Sequence, residues 1–339
     1  MNNLQMDSLH AGRICDMMDM GREGNTVILS VSRRTDIPAC YPEWFMHRLR
    51  AGFVLARNPM NSRQVSRITL TPETVDCIVF WTKNPAPMLP FLPEIRRMGY
   101  PFLFQVTLNA YGREVEASLP ALQERLDAFR ALSRQCPVVW RYDPILLSDT
   151  YTVDWHIARF RELASALEGC TDRCVISFLD VYDKIRARLR TIGARPCTEA
   201  DMHRLAAAFA EVAGQHGLRL QTCAEKTDLA VYGVGHGACI DADLIGNLLA
   251  CPVDGRRDAN QRGDCGCLPS VDVGAYNTCG NGCLYCYANH SPEVVARSAA
   301  AHRPDSPLLT GCLLPDDRVT ERAMPTIRRT DGEQTSFLE

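Results

Sequence analysis

The sequence predicts an α/β fold: a parallel, TIM-like (β/α) barrel, closed or incomplete. Three observations predict it. Short β-rich runs recur from residue 27 onward, they are almost unbroken in apolar residues, and amphipathic stretches of helical period separate them. Strands of a parallel sheet are covered on both faces, so they lose the alternation of half-buried strands and read as continuous apolar runs. A chain of 339 residues is a normal length for one such barrel.

Strands are predicted at 27–32, 53–57, 77–82, 102–107, 138–141, 174–178 and 219–223, with helices near 42–51, 86–98, 118–135, 152–168, 181–192 and 199–216. The segment after Cys197 illustrates the signals. Thr198 can cap a helix with Asp201 three residues on, Leu205, Phe209 and Val212 fall at helical spacing, and Gly217 ends the run. An eighth strand is predicted at 270–276; it leads straight into a cysteine motif and is expected beside the strand that starts at Val27. Residues 233–237 and 254–266, rich in Gly and charge, read as loops. The expected organisation is an N-terminal extension at 1–26, one barrel domain at 27–310 that includes a cysteine-rich segment at 239–290, and a polar, mobile tail at 311–339.

Lys and Arg total 37 against 40 Asp and Glu, which excludes a general affinity for nucleic acid or an anionic membrane but allows a local basic cleft. No apolar run approaches the ~20 residues of a membrane span, and the first 24 residues lack the apolar core of a secretory signal, so the cytoplasm is the expected address. That compartment is reducing, and 16 cysteines there point to metal ligation or catalysis where they cluster rather than to disulfides. Seven of them lie between Cys239 and Cys286. Scattered ones such as Cys77, Cys136 and Cys174 sit in or beside apolar runs and read as small core residues.

The sharpest feature is Cys279-Gly280-Asn281-Gly282-Cys283-Leu284-Tyr285-Cys286. Thiolates are soft ligands, suited to iron–sulfur clusters, zinc or Cu(I). Three of them within eight residues can wrap one side of a cubane, with two glycines letting the backbone curl around it. Three ligands leave one iron of a [4Fe–4S] cluster open to a substrate or cofactor. A structural zinc ion with His290 as fourth ligand is the competing reading, although a lone C-x3-C-x2-C lacks the paired cysteines usual in zinc sites.

The C-x3-C-x2-C spacing, with aromatic Tyr285 just before the last cysteine, resembles the radical-SAM superfamily signature. That resemblance implies S-adenosylmethionine at the open iron, an outside one-electron donor such as flavodoxin or ferredoxin, and a 5′-deoxyadenosyl radical that abstracts hydrogen from a substrate. The superfamily motif usually follows the first barrel strand; here it follows the last, which implies a permuted order. The chain also resembles the DUF1848 family of bacterial proteins, through Ser30-Val31-Ser32-Arg33-Arg34-Thr35-Asp36, Val79-Phe80-Trp81-Thr82-Lys83-Asn84, Trp140-Arg141-Tyr142-Asp143-Pro144, Thr222-Cys223-Ala224-Glu225 and Gly274-Ala275-Tyr276-Asn277-Thr278-Cys279. That family's C-terminal cysteines are described as similar to the radical-SAM cluster motif; no reaction comes with the resemblance.

Cys265 and Cys267, with Cys239 and Cys223 before them, could complete a second [4Fe–4S] cluster or a zinc site, with Cys251 as a substitute; they could equally be ordinary core or loop residues. In parallel barrels chemistry gathers at the C-terminal strand ends. Those ends carry Arg33, Arg34 and Asp36, Arg57, Lys83, Gln105, Arg141 and Asp143, Asp180 and Glu225. The recurring cations favour an anionic small molecule, with Arg33, Arg57 and Arg141 as expected main contacts. Asp36, Asp143 and Glu225 could orient those cations, bind ribose hydroxyls or exchange protons. Trp81 and Tyr142 could offer stacking surface or simply fill the core. The leading reading is a radical-SAM-type enzyme. The alternatives are a non-catalytic iron–sulfur redox or sensor protein, and a zinc-stabilised hydrolase with Asp36 or Glu225 as general base.

Overall fold

A computed structural model describes residues 26–259, 261, 263, 265–322 and 327–328. The extension expected at 1–26 lies, apart from Thr26, outside the described residues, as do residues 329–339 of the expected tail.

The chain builds an α/β fold on an eight-stranded parallel sheet. Its strands are β1 (Val27–Val31), β4 (Val75–Thr82), β5 (Phe102–Thr107), β6 (Val138–Ile145), β7 (Arg173–Phe178), β8 (Arg219–Cys223), β9 (Gly235–Gly237) and β10 (Val271–Asp272). The order is β10-β1-β4-β5-β6-β7-β8-β9. The pairing expected between the first strand and the strand before the cysteine motif is present, Leu29 opposite Val271 and Ser30 opposite Asp272. A side sheet holds β2 (Phe53–Arg57), β3 (Gln64–Thr69) and β11 (Arg318–Glu321).

The strands are buried on both faces, as their unbroken apolar runs predicted. Val27, Leu29 and Val31, Ile78 and Phe80, and Phe102 and Phe104 face one side, packed with Trp44 and Phe45, Phe129, Phe160 and Phe209. Those aromatics come from α2 (Pro42–Ala51), α4 (Leu122–Ser133), α5 (Val153–Ala166) and α7 (Glu199–Gln215). The alternate residues Ile28, Cys77, Val79 and Leu103 face the other side, packed with Cys239, Ile240, Ile245, Cys265, Cys267 and Leu268. The cysteine-rich segment, with its own short helix Ala242–Leu249, therefore covers the sheet face opposite these four helices. Gln105 of β5 donates from that face to the Cys239 carbonyl at 2.7 Å. One backbone hydrogen bond, Leu268 to the Ile240 carbonyl at 2.9 Å, joins the segments that flank edge strands β9 and β10.

Several expectations are corrected. The run at 53–57 is a strand, but it pairs antiparallel with β3, Phe53 opposite Thr69 and Arg57 opposite Val65. Only residues 58–63 join the two, far fewer than the dozen or so a parallel crossover needs. The segment at 233–237, read as loop, contains β9, and the strand at 270–276 shortens to two residues. The helix expected at 86–98 is a 3-10 turn (Ala86–Phe91) containing Pro90, followed by α3 (Leu92–Arg97). The expected mobile tail contributes β11, which pairs parallel with β3. The capping box of α7 forms as predicted from Thr198 and Asp201. No helix among the described residues is long and apolar enough to cross a membrane.

His156 on α5 is fully buried between β6 and the chain that follows it. The Leu146 carbonyl accepts from Nε2 at 2.8 Å, which leaves Nδ1 to accept from the Tyr142 hydroxyl, also at 2.8 Å. Burial lowers its pKa to about 4. The folded state then binds fewer protons than the unfolded state between pH 6.5 and 4, so stability falls as pH drops through that window. Urea titrations should show a loss of about 2 kcal/mol from pH 7 to 5. That increment should vanish in His156→Gln; an unchanged pH slope in the variant would refute the assignment.

Candidate functional site

A cavity of about 370 Å³ opens at the C-terminal ends of the parallel strands. Its walls include Arg33 and Asp36 after β1, Lys83 after β4, Arg141 and Asp143 on β6, and Glu225 after β8. Cys279, Cys283, Tyr285 and Cys286 line it from the loop after β10, and Cys223, Cys239, Cys265 and Cys267 from the other side. The structure thus gathers both cysteine groups, Tyr285 and, of Arg33, Asp36, Arg57, Lys83, Arg141, Asp143 and Glu225, all but one; Gln105, Tyr142 and Cys251 lie outside the lining.

The exception is Arg57. It sits in the side sheet, paired with Asp317 at 2.6 Å and bonded to the Cys312 carbonyl, outside the cavity. Its strand leaves the parallel sheet, so its side chain starts from the wrong platform. His290 is exposed and does not line the cavity.

The C-x3-C-x2-C loop is held from several directions. Leu284 donates to the Val115 carbonyl at 2.9 Å and Ser118 to the Asn281 carbonyl at 3.2 Å. Arg188, on α6 (Asp183–Arg190), donates to the Cys286 and Asn289 carbonyls at 2.9 and 3.1 Å. Asn289 donates to the Cys279 carbonyl at 2.7 Å. Gly282 has φ 69°, and a Cβ there would come within 3.2 Å of Ala117, so glycine serves both the turn and the close approach.

Asp36 ties this loop to β1 and β4. Its carboxylate accepts from Ala39 N at 3.0 Å, from Lys83 N at 2.8 Å and from Asn281 Nδ2 at 2.8 Å. Burial raises its pKa, against the lowering effect of these hydrogen bonds. With three donors on it, Asp36 positions the loop rather than exchanging protons. Lys83 donates to Glu116 at 3.1 Å and to the Tyr285 hydroxyl at 2.7 Å, and Tyr285 donates to Glu116. Arg125 reaches the other Glu116 oxygen at 3.4 Å. Burial works to lower the Lys83 pKa, but Glu116 and then the nearby Cys283 and Asp143 raise it overall, so the ammonium stays charged beside the thiols.

Across the cavity Arg141 forks between the Asp143 carboxylate and Cys239 Sγ, the latter at 2.9 Å. Arg33 and Arg141 both pack over the Trp81 ring, 4.9 and 5.5 Å from its centroid. Trp81 thus supports the arginines, while Tyr142 is core and binds His156. Arg33 Nη2 is buried with no hydrogen-bond partner among the described residues. Glu225 accepts from Phe178 N at 2.8 Å, joining β7 to the segment after β8.

Four residues were missed in the sequence. Asp272 accepts from Ser30 Oγ, Ser32 Oγ, Arg33 N and Gly274 N at 2.7–3.1 Å. Glu116 and Asn281 sit in the networks above. Cys40, at the end of α1 (Ile37–Cys40), donates from Sγ to Asn281 Oδ1 at 4.0 Å, within the cysteine loop. Only Asn281, inside the cysteine motif, carried a usable signal; the others become neighbours through the fold.

Residues 28–288 match the family described as Domain of unknown function (DUF1848). The chain belongs to the DUF1848 family. The span it shares with DUF1848 starts on β1 and ends two residues past Cys286, so it takes in both cysteine groups and the cations between them. No curated protein matches the chain. Among solved structures it is similar to a protein of Bacteroides thetaiotaomicron assigned as an alpha-L-fucosidase, at 11% identity and TM-score 0.28, covering 61% of this chain and 78% of that one. It is also similar to the carboxyl transferase domain of Rhizobium etli pyruvate carboxylase, at 12% identity and TM-score 0.31, covering 70% of this chain and 43% of that one. At these scores neither likeness bears on the chemistry of the site.

Asp36→Ala leaves three buried donors without an acceptor, at about 1–3 kcal/mol each. Chemical denaturation should register a loss of about 3 kcal/mol or more, and hydrogen exchange should quicken around Asn281. A variant as stable as the parent would show that the Asp36 tie is dispensable.

Proposed function

We propose that this chain is a radical-SAM-type enzyme acting on a small anionic substrate, with its parallel sheet rolled into an incomplete barrel around the site. One observation carries the reading: three thiols at C-x3-C-x2-C spacing and the cations Arg33, Arg34, Lys83 and Arg141 line one cavity. The donor set fits the group. Three soft thiolates on a loop curled through Gly280 and Gly282 would hold a [4Fe–4S] cluster with one iron left open. When bound and reduced by an outside donor such as flavodoxin or ferredoxin, that cluster supplies the electron that cleaves S-adenosylmethionine to a 5′-deoxyadenosyl radical.

The chain's own residues do the rest. Lys83 holds a fixed positive charge beside Cys283, anchored by Glu116 and Tyr285. Arg33 offers a buried guanidinium arm without a partner, suited to a carboxylate or phosphate oxygen. Asp143 keeps the Arg141 fork in place, and Glu225 joins two strand ends under the cavity. The cavity is about the size of a small-molecule site, which favours an enzyme over an electron carrier that needs no substrate space.

Anaerobically reconstituted protein, reduced with dithionite and given S-adenosylmethionine, should form 5′-deoxyadenosine. The Cys279→Ala/Cys283→Ala/Cys286→Ala variant should not, and its iron should fall accordingly. Absence of the product from iron-loaded parent protein would reject the enzyme reading. In the same assay format, Arg33→Gln should weaken S-adenosylmethionine binding about tenfold at unchanged iron content, as expected for one lost charge-assisted hydrogen bond. Arg57→Gln, outside the cavity, should leave binding as it was; equal affinities in parent and Arg33→Gln would remove Arg33 from the anion site.

A further inference from the structure

We propose that Cys223, Cys239, Cys265 and Cys267 form a closed, mononuclear site for a thiophilic divalent ion such as zinc, and that this ion clasps the two edges of the parallel sheet together. The proposal stands independently of the three-thiol cluster.

The four cysteines come from three separate places: the end of β8, the chain just past β9, and the loop before β10. Two of those places lie at one edge of the sheet and the third at the other. Cys239, Cys265 and Cys267 are buried and Cys223 is nearly so. Their side chains converge on one wall of the cavity, with the sulfurs of Cys223 and Cys239 3.0 Å apart and Cys265 and Cys267 lining the same wall.

The backbone is shaped to bring them there. Ala224, next to Cys223, has φ 52°, a left-handed conformation that alanine rarely adopts and that persists where surroundings impose it. Gly237 lies so close to β8 that a Cβ would meet Gln221 at 2.9 Å, which lets the chain turn in toward Cys239. Gln105 then holds the Cys239 carbonyl at 2.7 Å, and Leu268 bonds to Ile240 just beyond.

Charge points the same way. Arg141 places Nη1 2.9 Å from Cys239 Sγ, and Arg33 stands near Cys267, Cys239 and Cys265. Arg141 already has the Asp143 carboxylate, but Arg33 keeps one guanidinium arm without a hydrogen-bond partner among the described residues. Four thiolates around a divalent ion carry a net charge of −2, which gives both cations a partner.

Size selects a single ion. No group of three or more His, Cys, Asp or Glu side chains among the described residues is already spaced around an ion position. The Cys223 and Cys239 sulfurs instead stand 3.0 Å apart, and a tetrahedral ion with bonds of about 2.3 Å would hold them roughly 3.8 Å apart. Loading therefore opens the Cys223–Cys239 pair by less than an ångström. A cubane would force in four irons and four sulfides and push these buried sulfurs much further. With all four positions filled by protein, such an ion has no open site and serves structure.

The Cys279→Ala/Cys283→Ala/Cys286→Ala variant of the full chain removes the other cysteine group. Prepared under reducing conditions in zinc-supplemented buffer, it should retain about one zinc per chain by elemental analysis. Adding Cys239→Ser or Cys267→Ser should cut that content at least tenfold and lower Tm. Absence of stoichiometric zinc, iron with acid-labile sulfide at about four per chain, or retention of zinc after either serine substitution would each overturn the proposal. If the triple variant does not fold, X-ray absorption at the zinc edge of the parent protein decides. Four sulfur ligands near 2.3 Å support the clasp, and fewer than four, or an absent zinc signal, refute it.

Discussion

The half-buried carboxylate of Asp272 is the contact on which the site depends. Its two oxygens collect two serine hydroxyls and the Arg33 amide, at or just past the end of β1, and the Gly274 amide just past β10 itself. Strand β10 is only two residues long, too short to hold itself by ladder hydrogen bonds. The carboxylate supplies what the ladder lacks. It sets where the chain leaves the sheet, and the cysteine loop begins seven residues later. Asp36, Asn281 and Arg188 then fix a loop whose starting point is already determined.

Around that anchor the cavity has two unlike walls. On one, Lys83, Tyr285, Glu116 and Arg125 form a network around the Glu116 carboxylate behind the three-thiol loop, with Arg125 Nε left without a partner among the described residues. On the other, Arg33 and Arg141 lean on Trp81 and face the four-thiol group. Buried cations are expensive unless an anion or polar partner compensates them. The first wall supplies its own carboxylate. The second pairs Arg141 with Asp143 but leaves an arm of Arg33 unmatched, and this contrast is why the anion site and the ion clasp are both placed on that side.

Much of the fold was legible because a parallel sheet writes itself into the sequence as unbroken apolar runs. Seven of the eight predicted strands lie in the main sheet. The eighth, at 53–57, has the same composition but belongs to a hairpin, and the short stretch to Gln64 with no room for a helix was the overlooked signal. β1 pairs directly with β4 instead, and the main sheet gains β9 at its far edge beside β8, whose Gly235-His236-Gly237 carries no strand signal because its role is close approach rather than side-chain packing. The candidate site was legible where chemistry is local: the three cysteines and the charged residues that directly follow strands. Asp272, Glu116 and Cys40 were not, since each matters only through partners far along the chain. Arg57 failed for the complementary reason, as a strand-end cation whose strand was assigned to the wrong sheet.

The pairing of β10 with β1 joins residues 242 positions apart in the chain, Leu29 with Val271. During synthesis the first strand leaves the ribosome long before its edge partner exists. Contacts of such separation form late because their loop-closure entropy must be met at once. Until then β1 presents an open edge beside β4, and Asp36 lacks the Asn281 amide that completes its shell. A nascent chain released before Val271 contains most of the sheet but none of Cys279, Cys283 and Cys286. Translation order therefore sets a sequence of events: by the time the three-cysteine loop is made, every strand of the main sheet has already been synthesised.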